Sequence, residues 1–211
     1  MKLFFTKMPG CGDDYIYFDA FTQHIPDPEA LSRRLSDRHF GVGGDGVVLI
    51  GPSAIADARM RMFNADGSEG KMCGNAIRCV GKYVYDNGLT DKTQISVDTL
   101  SGIKYLTLTV KNGKCEFVEV DMGKAILKAS DIPVICDSEQ FINLPIEVDG
   151  QEYRATCVSM GNPHAVIFQN GIDTMDLEKI GPKFENHKIF PERVNTEFVE
   201  VLSPDHIKMR V

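Results

Sequence analysis

No stretch of this sequence stays apolar for the roughly 18 residues that a membrane-spanning helix needs. The opening MKLFFTKMPG is broken by Lys7 and Pro9 too early to serve as an export signal. Basic residues are in the minority: 23 Lys and Arg against 30 Asp and Glu give a net charge of −7. That balance excludes a generally basic nucleic-acid-binding surface. None of the six cysteines stands in a C-x-x-C pair, and no His/Cys spacing of zinc type occurs. Low-complexity segments are missing as well. These absences imply a chain without nucleic-acid or membrane partners, expected in the cytoplasm with its thiols reduced.

What is present suits two small domains: 211 residues, 43% hydrophobic and 25% charged, with both signs interspersed. Strands are predicted at 3–7 and 15–19, around the turn PGCGDD, and again at 46–50 and 58–63. Between them Asp27 offers a helix cap and Pro28 a first helical residue. Leu31 and Leu35 lie on one face, and the helix is expected to end near Phe40-Gly41. A second helix is predicted over 74–86, with a broad apolar stripe and Asn87-Gly88 as its stop. Residues 93–121 alternate as strands, with a hairpin at Lys111-Asn112-Gly113. Further strands are expected at 151–159, 165–168, 197–202 and 206–211, with a short helix near 176–183.

The chain also resembles itself. Displaced by 149 residues, Ala58–Met62 lies over Ile207–Val211, Asp45–Ile50 over Val194–Val199, and Gly12-Asp13-Asp14 over Gly161-Asn162-Pro163. A shared offset points to duplication, with two similar halves and a ligand site between them. On this alignment the counterpart of Cys73 would lie about eleven residues past Val211, so the second half is expected to be incomplete.

The most informative segment is FNADGSEGKMCGNAIRC. A loop of Asn, Asp, Gly and Ser runs into the second helix, with Cys73 at the helix N-terminus. Unpaired N–H groups and the helix dipole favour negative charge there. The Cys73 thiolate is therefore expected to be stabilised and its pKa lowered. The same N–H groups can hold a carboxylate, which Gly74 lets approach the backbone. A thiolate beside a carboxylate site suits proton abstraction at the carbon α to that carboxylate. Asn64 and Asn75 can add neutral hydrogen bonds. A structural cysteine at a helix cap explains the spacing equally well, and Cys79, inside the helix, reads as core. Cys11 lies in the first turn, where an incidental residue outweighs a functional one. HFGVGGDG looks like a phosphate loop but lacks the Lys-Ser/Thr ending and follows a helix, so a tight turn fits better. His164, in SMGNPH, can tune a nearby thiol or be an incidental loop histidine. Asn195 on its own is a polar residue at the entry of a strand.

The sequence resembles the diaminopimelate epimerase family almost end to end. The resemblance runs through FTKMPGCGDDYIYFD, DRHFGVGGDGVVLI, MRMFNADGSEGKMCGNAIRC, SMGNPHAVIF and PERVNTEFVEV. The central motif is the specific one; proline racemases carry His after Cys-Gly, where this chain has Asn75. The resemblance implies a mixed α/β roll (α+β in layout) of two pseudo-symmetric halves, each a curled β-sheet around a central helix. Residues 1–122 would form the half carrying Cys73, and 123–211 a partial half lacking its central helix. A catalytic cysteine would come from each half. The implied reaction interconverts LL- and meso-2,6-diaminopimelate by two-thiol proton transfer at the α-carbon, in lysine and peptidoglycan synthesis. It needs no pyridoxal phosphate, other cofactor or metal. The partner is the small-molecule substrate, and a homodimer is compatible.

Carried over by residue, Cys73 is one acid/base. Gly74 and Asn75 bind the α-carboxylate, Asn64, Asn162 and Asn195 hold the substrate, and His164 influences the thiols. Three departures matter. Asp13 stands in a substrate-binding position where the family has Asn, and an ionised carboxylate accepts but does not donate hydrogen bonds. Gly46 stands where many members have Gln, and that role is not carried over. The W-E-R-G run leading to A-C-G-T-G is absent, with its cysteine and its Glu-Arg pair, which implies that this chain alone is inactive. A non-catalytic binding relative, or an isomerase of the same fold with another substrate, are the alternative readings.

Overall fold

The structure, a computed structural model, describes residues 2–211. They form two units, Met1–Met122 and Gly123–Val211. In the first, β1 (Thr6–Gly10) and β2 (Asp13–Asp19) make an antiparallel hairpin closed by Cys11 and Gly12, both at positive φ. The two-residue turn sets the register, pairing Gly10 with Asp13 and Thr6 with Tyr17. The first strand therefore lies at 6–10 and not at the 3–7 expected from hydrophobicity.

Helix α1 (Pro28–Ser36) starts at Asp27, whose side chain accepts from the Ala30 N–H at 2.9 Å. It ends at Ser36, four residues before Phe40. The Asp37 carboxylate takes the N–H groups of His39 and Phe40, which diverts the chain into a turn. The next strands are β3 (Gly46–Gly51), β4 (Ala58–Asn64) and the short β5 (Glu69–Gly70). Helix α2 (Gly74–Asp86) follows, then β6 (Gln94–Thr99), β7 (Gly102–Lys111) and β8 (Lys114–Asp121). Asn112 and Gly113, both at positive φ, close the β7–β8 hairpin as the Asn-Gly signal predicts.

The sheet order is β1-β2-β3-β4-β6-β7-β8. Helix α2 packs against β1 and β8, the two ends of that order, so the sheet curls around it. Gly81 permits the closest approach: a Cβ there would lie 2.8 Å from a Leu106 methyl. Strands β2 and β3 are covered on both faces. Tyr15, Tyr17, Val48 and Ile50 face the α2 side, and Ile16, Phe18, Val47 and Leu49 face α1 through Leu31 and Leu35. Full burial of each such aliphatic contributes about 1.5–3 kcal/mol, which is why this strand pair anchors the unit.

The second unit has one five-stranded sheet, β13-β12-β11-β10-β9. Its strands are β9 (Leu144–Val148), β10 (Gln151–Ser159), β11 (Pro163–Phe168), β12 (Asn195–Ser203) and β13 (His206–Arg210); α3 (Leu177–Glu185) packs on β12. Strand β9 has no counterpart among the predicted strands. The pairs β10–β11, β11–β12 and β12–β13 are antiparallel, parallel and antiparallel, the senses of β1–β2, β2–β3 and β3–β4.

Two of these registers repeat as well, those of β2–β3 and β3–β4; the β10–β11 register is displaced by one residue from that of β1–β2. Tyr15↔Gly46 becomes His164↔Asn195, and Leu49↔Arg61 becomes Phe198↔Arg210, each displaced by 149 residues. Helix α3 repeats α1 at the same offset, down to its cap, where Asp176 accepts from the Lys179 N–H at 3.2 Å. Among the described residues the second unit has no counterpart of α2.

Candidate active site

Cys73 is the N-cap of α2. Its sulfur accepts from the Ala76 N–H at 3.4 Å, in the manner of a capping hydroxyl. The preceding loop reaches this point with extended backbone at Cys73, φ −135° and ψ 119°. Three of the predicted site residues meet here. Asp13, at the start of β2, accepts at Oδ2 from the Asn75 amide at 3.1 Å and from the Cys73 thiol at 3.7 Å. A fourth participant escaped the sequence reading. Tyr15 is the next inward position of β2; burial, and then the charge of the neighbouring Cys73, raise its hydroxyl pKa, and period-two alternation after Asp13 is the signal that marks it.

Electrostatics at Cys73 reverse the expectation drawn from the helix end. Burial raises the thiol pKa above its ordinary value, and the neighbouring Asp13 charge raises it further. The N–H groups of Ala76 and Asn75 pull the other way and are outweighed. The helix terminus is present, but partial burial of the sulfur outweighs it. Cys157 is more extreme, pushed up to about 12 by burial, and Cys79 is raised by burial too. All six cysteines are free thiols.

A Cβ at Gly74 would just fit, in ordinary contact with the Arg78 guanidinium at 3.5 Å and the Met122 methyl at 3.6 Å. Asn64, at the end of β4, is placed apart from the Cys73 contacts. Its side chain donates to Ser68 at 3.0 Å, and its carbonyl takes the buried Ser32 hydroxyl at 2.8 Å. Gly46 must be glycine in this backbone, because a Cβ would collide with the Phe63 carbonyl oxygen.

The glycine loop is not a phosphate cradle. Its consecutive N–H groups from Gly41 to Asp45 are spent on the carbonyls of Asp37, Leu35, Ser36 and Asp14. They finish α1 and dock the loop on β2. Arg38 bonds both Asp14 and Asp45, and Lys7 pairs with Asp14 from β1, holding the Asp14 carboxyl well below the usual range.

In the second unit the turn after β10 groups Asn162, His164 and Asn195. His164 Nε2 lies 3.0 Å from Asn162 Oδ1, and Nδ1 lies 2.6 Å from Glu197 Oε1. Asn195 pairs with His164 across β11–β12 and donates to the Pro163 carbonyl at 3.3 Å. Glu197 was missed by the sequence reading, although alternation puts it on the face of Asn195. It is buried and fixes the orientation of the imidazole, while its Oε2 has no hydrogen-bond partner among the described residues. By the 149-residue offset Asn162 is the counterpart of Asp13, and His164 of Tyr15.

Among the described residues no three His, Cys, Asp or Glu side chains gather as metal ligands, and no helix is long and apolar enough to cross a membrane.

Comparison with known proteins gives the family. The family model described as diaminopimelate epimerase matches residues 5–128 and 156–211. A diaminopimelate epimerase of Acetivibrio thermocellus is 58% identical over 207 residues, covering 98% of this chain and 74% of the relative. One of Agathobacter rectalis is 57% identical over 214 residues, covering 98% and 75%. Among solved structures, a probable proline racemase from Agrobacterium radiobacter superposes with a TM-score of 0.70 at 15% identity, covering 99% of this chain and 69% of that one. A hydroxyproline epimerase from Agrobacterium vitis gives 0.65 at 14% identity, covering 97% and 68%. The two structural likenesses carry the mixed α/β fold; the sequence relatives carry more, and on that evidence the chain belongs to the diaminopimelate epimerase family.

Proposed function

We propose that this protein is a cofactor-independent isomerase that interconverts LL- and meso-2,6-diaminopimelate by proton transfer at the α-carbon, a step of lysine biosynthesis. The observation that carries the reading is Cys73 at the α2 N-terminus. A half-buried thiol there caps the helix end, where N–H groups favour an anion.

In this mechanism Gly74 and Asn75 receive the substrate's α-carboxylate, where helix-end N–H groups favour an anion. Asn64, Asn162 and Asn195 supply neutral hydrogen bonds to the rest of the substrate. Asp13 borders the site, and His164, oriented by Glu197, tunes it. Cys73 exchanges a proton with the α-carbon on one face. Fixed N–H dipoles stabilise the carbanion charge that develops next to the carboxylate. Inversion also needs an acid on the opposite face. In the same unit Cys79 and Cys115 are buried core residues, and Cys11 is exposed in the β1–β2 turn.

The free thiols suit a reducing cytoplasm. A homodimer is compatible with the reading, and sedimentation velocity decides it.

The test is incubation of LL-diaminopimelate in D2O with the protein, reading deuterium at Cα and formation of the meso isomer. Both are expected, and both should be lost in Cys73→Ala. Binding without exchange would favour a non-catalytic relative. Exchange into another amino acid but not diaminopimelate would favour a different substrate.

A further inference from the structure

Asp13 and Asp14 are adjacent carboxylates with opposite surroundings. Asp14 is neutralised by Lys7 and Arg38. Asp13 has no ion-pair partner among the described residues; its Oδ2 faces the Cys73 thiol at 3.7 Å and the Asn75 amide at 3.1 Å. Its carboxylate has no hydrogen to give, so in this contact the sulfur must be the donor. The ion pairs of Asp14 pin the hairpin turn, and with it the direction in which Asp13 points.

We infer that Asp13 is a positioning residue that holds Cys73 as a thiol in the empty site, by accepting its S–H hydrogen at Oδ2. The inference rests on the reading of Cys73 as an acid/base group for its catalytic meaning, though not for its test. With the proton on sulfur, Cys73 is the resting donor. It becomes a base only after its proton has passed to water. Asn75 shares the same oxygen, so a substrate carboxylate that takes the Asn75 amide competes with Asp13 for that donor.

The titratable groups that face the sulfur are Asp13 and Tyr15, with Tyr17 beyond them, all on β2. From α2 come only the N–H groups of Asn75 and Ala76; the Arg78 guanidinium is turned to the Gly74 carbonyl. Burial and Asp13 both raise the thiol pKa, in agreement with the geometry.

The experiment is the pH dependence of Cys73 alkylation by iodoacetamide in the full chain, read by peptide mass mapping. Asp13→Asn should lower the midpoint by about one pH unit, giving about tenfold faster labelling at neutral pH. Asp13→Glu should keep the midpoint high. Labelling of Cys79 should not change in either variant, which separates a lost charge from a loosened turn. An unchanged or raised midpoint in Asp13→Asn, with native near-UV circular dichroism, overturns the inference. Should that variant misfold, the unmodified protein answers. Its S–H stretch, assigned by difference against Cys73→Ser, should lie at the lower frequency of a hydrogen-bonded thiol. A band at the free-thiol frequency overturns the inference. None of these readings needs turnover, so failure of the epimerase reading leaves them intact.

Discussion

Replacing Cys73 by serine should separate stability from chemistry. The sulfur now caps α2 by accepting the Ala76 N–H at 3.4 Å, a long contact to a weak acceptor. A serine oxygen is among the best acceptors at this position. The Asp13 carboxylate, already 3.7 Å from the sulfur, is placed to receive its hydroxyl hydrogen. The new side chain is therefore satisfied on both sides despite its partial burial. Ser and Ala at an N-cap differ by about 0.5–2 kcal/mol. Cysteine, with its weak acceptor, should fall between them, so Cys73→Ser should gain, and Cys73→Ala lose, roughly half of that range. For a unit of this size about 1 kcal/mol moves the melting temperature by ~4 °C. Thermal unfolding followed by circular dichroism should give the order Ser, Cys, Ala, from most to least stable. Deuterium exchange into diaminopimelate should fall by about 10²–10⁴ in both variants, since a serine hydroxyl is a far poorer acid and base at neutral pH. If serine proves less stable than alanine, Cys73 does not cap the helix. If serine retains exchange near the original rate, Cys73 is not the proton-transfer group.

Phe184 is fully buried in the second unit and meets Tyr153 and Phe198 edge to face at 5.0 and 5.3 Å. Phe184→Ala should destabilise by about 3–5 kcal/mol, with the loss of hydrogen-exchange protection confined to residues 123–211. Glu197→Ala should cost about 1–3 kcal/mol by leaving the His164 ring without its acceptor, and the His164 Nδ1–H signal should vanish from the low-field proton NMR spectrum. Asp57, bonded to Lys92 and Ser96, is lowered to about 2 in the folded chain. A lowered folded-state pKa stabilises above the unfolded value and is lost as pH falls through the folded one. About 1–2 kcal/mol should therefore disappear between roughly pH 4 and pH 2. Asp57→Asn should flatten that part of the acid-unfolding curve.

Local chemistry made much of this protein legible in its sequence. Helix α2 begins and ends where Cys73-Gly74 and Asn87-Gly88 say, because caps and stops act within one turn of chain. The β7–β8 hairpin follows from Asn112-Gly113 for the same reason. The duplication was readable in three strand segments, and the ladder registers extend it to helices that share little sequence beyond their capping aspartates. Where partners come from far along the chain, sequence reading stopped. The first strand slid from 3–7 to 6–10 because pairing with β2 sets it. The glycine loop of residues 41–45 became the finish of α1 because Asp14 and the α1 carbonyls claim its amides.

Cys73 shows the division most clearly. Its place at a helix N-terminus is written in sequence, and that place alone lowers a thiol pKa. The actual direction is set by burial beneath β2 and by Asp13, 60 residues earlier in the chain. Proton affinity depends on the dielectric and on charges within a few ångströms, and only the folded chain decides which residues those are.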